Sequence, residues 1–438
     1  MGTIFALSTP KGKAGIGVIR ISGTHAKKVL QHFKVSCVVK PRIAAFSTLY
    51  NGDNEAIDEA IILYFPGPNS FTGEDVIELH IHSSIAVIKV MFNELRKIFR
   101  LANPGEFSLR AFLNGKMDLT KAEGIADLIN AETEVQLKQA LRQVSGNFEK
   151  LYTGWRNILI AMLANIEAYI DFPDEVTSSA LSEISNQLNM LRGSLASYLN
   201  DDHRGERVRS GARIVIIGEP NVGKSTLFNC LARRDIAIVS EYAGTTRDVL
   251  EAHIDIGGYP FIIIDTAGIR ASDNVIEQEG MKRAILEAEN ADLKIKIFSY
   301  SDLSNISEDV IQSVDDKTIC VLSKADNIEH QSTIPIFNTD FFPISVHKNI
   351  GIDNLIQVIK EKSLLIFPTD NSLFITSSRH RIHLQNTLDI LNSISIDSPI
   401  EILSEDLRLS IKEIGKVVGA ISSDDILDNI FSKFCLGK

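Results

Sequence analysis

The sequence predicts a multidomain protein of mixed class: an N-terminal α+β domain, a helical region, and an α/β domain of Ras-like P-loop type in which a mostly parallel sheet is flanked by helices. Three observations carry this expectation. At 438 residues the chain exceeds what one hydrophobic core supports. A loop spaced glycine, four residues, Gly-Lys-Ser stands between an apolar run and a helical pattern. Around that loop, apolar residues alternate between the period of strands and the period of helices.

Residues 1–115 carry short β-rich runs, "IGVIRIS" and "DVIELHIH", punctuated by glycine and proline, as in a compact α+β domain. Residues 116–208 read as long helices. Leu137, Leu141, Val144, Phe148, Leu151, Trp155, Ile158 and Met162 recur three or four apart and align as one helical stripe. Its lone tryptophan fits helix packing better than a cofactor box. "RGERVRSGAR", Arg204 to Arg213, reads as a polar, glycine-bearing linker into the domain of residues 209–372. There the apolar runs "RIVII", "FIIID", "TICVLS" and "FFPI" alternate with helical patterns, the signature of a parallel sheet wrapped by helices. From residue 373 to 438 the pattern is helical again.

Composition narrows the function. No apolar run approaches the roughly 20 residues needed to cross a bilayer, so no membrane association is expected. The start lacks the basic, apolar and small-residue order of a secretory signal, which points to the cytoplasm. Cys37, Cys230, Cys320 and Cys435 are scattered without metal-ligand or disulfide spacing and read as reduced thiols. A formal charge of −11 argues against indiscriminate nucleic-acid binding. His80 and His82 alternate on one strand, but with no third ligand evident they read as packing or exposed polar groups.

In the loop Gly218 to Ser225, backbone N–H groups of Asn221, Val222, Gly223 and the following turn, with Thr226, can close on phosphate oxygens. Lys224 neutralises β and γ charge, and the Ser225 hydroxyl suits magnesium. "DTAG" (Asp265, Thr266, Ala267, Gly268) closes a strand where a carboxylate can hold the magnesium shell and a glycine N–H can sense a γ-phosphate. Downstream, Asp326 of "SKAD" (Ser323, Lys324) can accept from guanine N1–H and the 2-amino group, which favours GTP over ATP. With the threonine switch "GTTRD" and "SVHK", these elements resemble translation-factor-like G proteins. That class carries asparagine where Ser323 stands. Serine is shorter, which puts one base contact and the tie to the phosphate loop in question. Ser345-Val346 stands for the class's Ser-Ala loop. Ile269 occupies the position after "DTAG" where Ras-like proteins place a water-orienting glutamine, so water must be positioned otherwise.

The flanks are more specific still. "GTIFALSTPKGKAGIGVIRISG", "SFTGEDVIELHIH", "NPGEFSLRAFLNGKMDLTKAEGIADLI", "NIEAYIDFPDE" and the closing "DDILDNIFSKFCLGK" resemble the MnmE (TrmE) family of tRNA modification GTPases over nearly the whole chain. The resemblance implies a G domain inserted into a helical domain, and a folate-binding-like N-terminal domain that also dimerises. It implies a homodimer that forms a heterotetramer with the flavoprotein MnmG and acts on tRNA. The implied reaction adds an aminomethyl or carboxymethylaminomethyl group to C5 of the wobble uridine, with 5-formyl- or methylene-tetrahydrofolate as one-carbon source. Arg20, Glu78, Lys116 and Lys438 fall at the implied folate contacts.

The same resemblance places potassium against Asn221, Ser240, Tyr242 and Thr245, within a switch loop that also includes Glu241, Ala243 and Gly244. Thr246 joins Ser225 on magnesium, and Glu277 orients the attacking water. Arg247 and Arg270 are alternative sources of charge. Cys435 has two readings, a nucleophilic thiolate and a buried helix-end residue. Two other functions remain open at this level: a ribosome-assembly GTPase of the Era type, and a nucleotide-controlled scaffold. Only one phosphate loop is present, against two in tandem G proteins.

Overall fold

In a computed structural model, the structure describes residues 2–171, 178–233, 250–265, 289–305, 314–326, 333–336, 339–368 and 372–420, with 427, 430–432, 434 and 437. The chain divides into two compact units. The first comprises Met1–Ala126, Phe148–Asn157 and Ile411–Lys438; the second comprises Asp127–Asn147 and Ile158–Ser410.

The first unit is built on a six-stranded sheet from β1 (Ile4–Leu7), β2 (Ala14–Ser22), β3 (Ala45–Tyr50), β4 (Ala56–Phe65), β5 (Val76–Ser83) and β6 (Arg100–Leu101), in the order β3-β4-β5-β2-β1-β6. Alternation along β2 and β5 sends Ile19, Ile21, Ile77, Leu79 and Ile81 into a core with Met91 and Leu95 of the helix Ile85–Arg96. The intervening residues Arg20, Glu78 and His80 therefore share the opposite face, and the β2/β5 register sets Arg20 directly across from Glu78. Residues between Leu427 and Gly437 close this unit. Leu427, Phe431 and Phe434 pack with Leu119 and Ala122, and the Ser8 hydroxyl donates to the Gly437 carbonyl at 3.0 Å. Gly437 (φ 94°) lies so close to β1 that a Cβ there would fall 2.4 Å from the Leu7 carbonyl oxygen, so only glycine fits.

In the second unit a seven-stranded sheet has the order β12-β13-β11-β10-β7-β9-β8. Its strands are β7 (Ala212–Gly218), β8 (Leu250–Ile256), β9 (Tyr259–Asp265), β10 (Leu293–Ser299), β11 (Thr318–Ser323), β12 (Ile334–Ile336) and β13 (Thr339–Pro343). The five inner strands run parallel and both edge strands antiparallel. The sheet is thus mostly parallel, as expected, and "RIVII", "FIIID", "TICVLS" and "FFPI" are its strands or strand ends. Ile214, Ile216, Ile295, Ile297 and Val321 fill the core with Leu227 and Phe228 of the helix Lys224–Ala232 and with Leu355 and Ile359 of the helix Ile352–Ile366.

Two expectations are corrected here. Arg204 to Arg213 is no linker: Arg204–Ser210 is helical and runs into β7. Its arginines are tied to carboxylates, Arg207 Nε to Asp292 Oδ1 at 2.6 Å and Arg209 Nε to Asp127 Oδ1 at 2.8 Å, which the charge-rich sequence does not reveal. The single long stripe is also broken. A helix Glu134–Val144 stops before Gly146 (φ 82°), and a second helix, Asn147–Asp171, begins just after it. Phe148, Tyr152, Trp155, Leu159, Met162 and Ile166 are the buried stripe of the second helix, whereas Leu137, Leu141 and Ile158 are 41%, 49% and 41% exposed. Trp155 does pack against Tyr152, ring centroids 5.8 Å apart.

Candidate functional site

The parallel strands β7, β10 and β11 end together, and the order β9-β7-β10 makes the end of β7 a switch point, where α/β sheets leave a crevice for ligands. The phosphate loop leaves β7 there. Gly218 takes φ 158°, and a Cβ on it would meet the Ile297 carbonyl oxygen at 2.4 Å. Asn221 (φ 65°) and Gly223 (φ 104°) are left-handed, and the helix Lys224–Ala232 starts immediately after. This turns successive N–H groups and the helix's positive end toward one point. Lys224 Nζ donates to the carbonyls of Gly218 and Glu219, both at 2.8 Å, so its ammonium is held over the loop. Ser225 and Thr226 lie exposed on the first helical turn, and buried Asp265 ends the neighbouring strand β9.

The base-reading segment follows β11. Lys324 takes φ 57° and extends along the phosphate loop, its Nζ donating to the Asn221 carbonyl at 2.9 Å. Asp326 is held from two sides: the Ser345 hydroxyl donates to its Oδ1, and Lys348 Nζ donates to its backbone carbonyl at 2.8 Å. The Lys348 N–H in turn donates to Ser345 Oγ at 3.2 Å. Ser323, 6% exposed, has the Val222 carbonyl at 2.5 Å and the Phe298 carbonyl at 3.0 Å from its hydroxyl, the nearer being the better placed to accept its one proton. The tie to the phosphate loop, in question from the sequence, is present. Lys348 and the Val222 carbonyl were missed, because their roles come from turn geometry and a contact 101 residues apart.

The first unit carries a second polar cluster. Arg20 Nε donates to Glu78 Oε1 at 3.0 Å, and its guanidinium lies 5.4 Å from the Phe71 ring centroid. Glu78 lines a recess with Arg42, Phe65, Asn69, Ser70, Phe71 and Val76. Lys116 is exposed beside Gly73 in the loop below it. That loop is anchored from underneath. Arg110, 1% exposed, donates to both Glu74 oxygens at 3.2 and 3.0 Å, to Glu106 at 2.9 Å and to the Gly2 carbonyl at 2.7 Å. Ser22 Oγ also donates to Glu74 at 2.8 Å. Burial pushes the Glu106 carboxyl up, but hydrogen bonds from Arg100, the Asn103 N–H and Arg110 outweigh it and hold the group below the ordinary range. The sequence signal for this network was Glu106 and Arg110 at helical i,i+4 spacing.

His80 and His82 each stand beside a carboxylate. His80 Nε2 stands 3.5 Å from Glu78, and exposed His82 Nδ1 stands 2.8 Å from Asp58, whose hydrogen bond raises its pKa. No cluster able to hold a metal ion occurs among the described residues. Ser240, Glu241, Tyr242, Ala243, Gly244, Thr245, Thr246, Arg247, Thr266, Ala267, Gly268, Ile269, Arg270, Glu277, Cys435 and Lys438 lie outside the described residues.

Residues 3–116 match the model of the GTP-binding protein TrmE N-terminus, and residues 119–435 match that of the MnmE helical domain. Among curated proteins, the chain is 62% identical to the tRNA modification GTPase MnmE of Ehrlichia chaffeensis over 100% of both chains. It is 56% identical to that of Anaplasma marginale over 100% of this chain and 99% of the relative. Among solved structures it is similar to Aquifex aeolicus Era, with 24% identity and a TM-score of 0.27 over 43% of this chain and 69% of the other.

Proposed function

Because this chain belongs to the MnmE family of tRNA modification GTPases, we propose that it couples GTP hydrolysis to modification of the wobble uridine in partnership with the flavoprotein MnmG. The observation that carries the reading is identity of 62% to such a protein along its entire length. In this reading a homodimer works in the cytoplasm and takes its one-carbon unit from a tetrahydrofolate. Residues 209–372 are a G domain inserted between the helical segments 116–208 and 373–438, and residues 1–115 hold the folate.

The geometry supports a division of labour. Lys224 and the loop N–H groups bind the phosphates. Ser225, with Thr246, supplies hard hydroxyl oxygens of the kind magnesium prefers, and magnesium would neutralise charge between the β and γ phosphates. Asn221, in its left-handed position on the loop, would hold potassium with Ser240, Tyr242 and Thr245, and the ion would supply positive charge against the charge developing on the phosphates. Glu277 orients water. In the first unit, Phe65 and Phe71 offer apolar walls for a flat pterin ring, and Glu78 can accept from its donor edge. Arg20, Lys116 and Lys438 are cations suited to the folate's carboxylates.

Mass spectrometry of wobble nucleosides in a deletion strain tests the reading. Modified uridines should disappear, return with the intact gene, and fail to return with Glu78→Ala. Loss of ribosomal subunits with intact uridines would favour an Era-type role; neither defect would favour a scaffold. For the cation, GTP turnover in potassium should exceed that in sodium at equal ionic strength, on the order of tenfold or more. Asn221→Ala should erase that difference, and Glu277→Ala should slow turnover in both salts. Equal wild-type rates in the two salts would rule out the cation mechanism.

A further inference from the structure

Guanine offers two edges to a protein: donors at N1 and the 2-amino group, and acceptors at O6 and N7. Asp326 is acceptor-only and its orientation is fixed by Ser345, so it suits the donor edge. Residue 323 stands against the phosphate loop, where a Cβ on Gly223 would lie 3.8 Å from Ser323 Cβ and Oγ. An asparagine there has two N–H donors, enough to hold the loop and still reach a base acceptor. Serine has one hydroxyl hydrogen. In this structure two carbonyls, those of Val222 and Phe298, lie within hydrogen-bond distance of Ser323 Oγ, at 2.5 and 3.0 Å. With its single proton directed to the protein, the side chain has none for N7, and its oxygen lone pairs only repel that acceptor.

We infer that Ser323 leaves the N7 position of guanine unread, so that this GTPase selects its base on the N1 and 2-amino edge and accepts 7-deazaguanosine triphosphate as readily as GTP. The inference rests on the GTP-binding reading and specifies how the base is chosen. It separates two properties that an asparagine would join. The serine keeps the phosphate loop in register with β10 and β11, while discrimination falls on Asp326.

The test is competition binding by the full-length protein, with a fluorescent GTP analogue displaced by GTP, 7-deaza-GTP or ITP, which lacks the 2-amino group. Wild-type protein should bind GTP and 7-deaza-GTP within about twofold of each other and ITP more weakly, by roughly threefold to tenfold, the loss of one hydrogen bond. Ser323→Asn should restore a similar preference for GTP over 7-deaza-GTP. A wild-type preference for GTP over 7-deaza-GTP of fivefold or more would overturn the inference, as would a Ser323→Asn protein that binds GTP but treats the two alike. If that variant does not fold, the wild-type comparison still decides. Absence of GTP binding, or equal binding of all three nucleotides, would instead defeat the underlying guanine-site reading.

Discussion

Asp326→Asn should lose GTP affinity by on the order of 100-fold, about 3 kcal/mol, and gain preference for xanthosine triphosphate. The direction follows from the contact that holds the side chain. Ser345 donates to one oxygen of Asp326, so in the variant the amide carbonyl takes that place and its NH2 group turns toward the base. An NH2 facing the guanine N1–H and 2-amino group sets donor against donor. The same NH2 facing the 2-oxo group of xanthine makes a hydrogen bond. Equilibrium binding of both nucleotides to wild type and variant reads the inversion. A variant that retained full GTP preference would show that the base is read elsewhere. Ser345→Ala should also weaken GTP binding, by less and without a shift toward xanthosine triphosphate, since it frees the carboxylate without changing its chemistry.

Arg110→Met should destabilise the first unit by about 3–5 kcal/mol, because it removes the buried guanidinium shared by Glu74 and Glu106 and leaves Glu74 without its cation, while Glu106 keeps only Arg100. Hydrogen exchange reads this directly. Amides of β1 and β2 should exchange faster by on the order of 100-fold or more, while those of β10 and β11 in the second unit keep their protection. Adding Glu74→Gln to Arg110→Met should recover part of the loss. The network's contribution should also depend on pH with a definite sign. The Glu106 carboxyl titrates below its ordinary range in the folded protein, so its stabilisation is complete above the unfolded carboxylate range and disappears as pH falls through the depressed value. A change of less than about 1 kcal/mol in Arg110→Met would mean that the network is dispensable.

The parts of the site that were legible in the sequence are those in which backbone geometry dictates residue type. Gly218, Gly223 and Lys224 follow from the need for left-handed turns and a cation at a helix start, so their spacing alone locates the phosphate loop. Arg20 and Glu78 were legible only through the family resemblance of their strings; that they face each other across β2 and β5 comes from the strand register. What the sequence concealed were contacts whose partners lie far away in the chain. The Ser323 hydroxyl meets a carbonyl from 101 residues earlier, and nothing about a serine in "SKAD" announces that it keeps the phosphate-loop tie. Arg207 and Arg209 looked solvated because Asp292 and Asp127 are distant in sequence. Gly146 was the one signal that should have divided the helical stripe.

The seating of Gly437 on β1 sets a timetable for biosynthesis. Ser8 and Gly437 are 429 positions apart, yet they share a hydrogen bond, and Leu119 and Ala122 await Leu427, Phe431 and Phe434 for their cover. On the ribosome, the N-terminal sheet can form early, but its body stays open until the segment carrying Leu427 to Gly437, 429 positions after Ser8 at its far end, has been translated. For most of that interval the apolar side of Leu119 and Ala122 is exposed to every other nascent segment. A premature stop just before Leu427 would therefore remove the cover of Leu119 and Ala122 altogether. It would leave the polypeptide with an uncapped apolar seam, a natural target for chaperones and proteases.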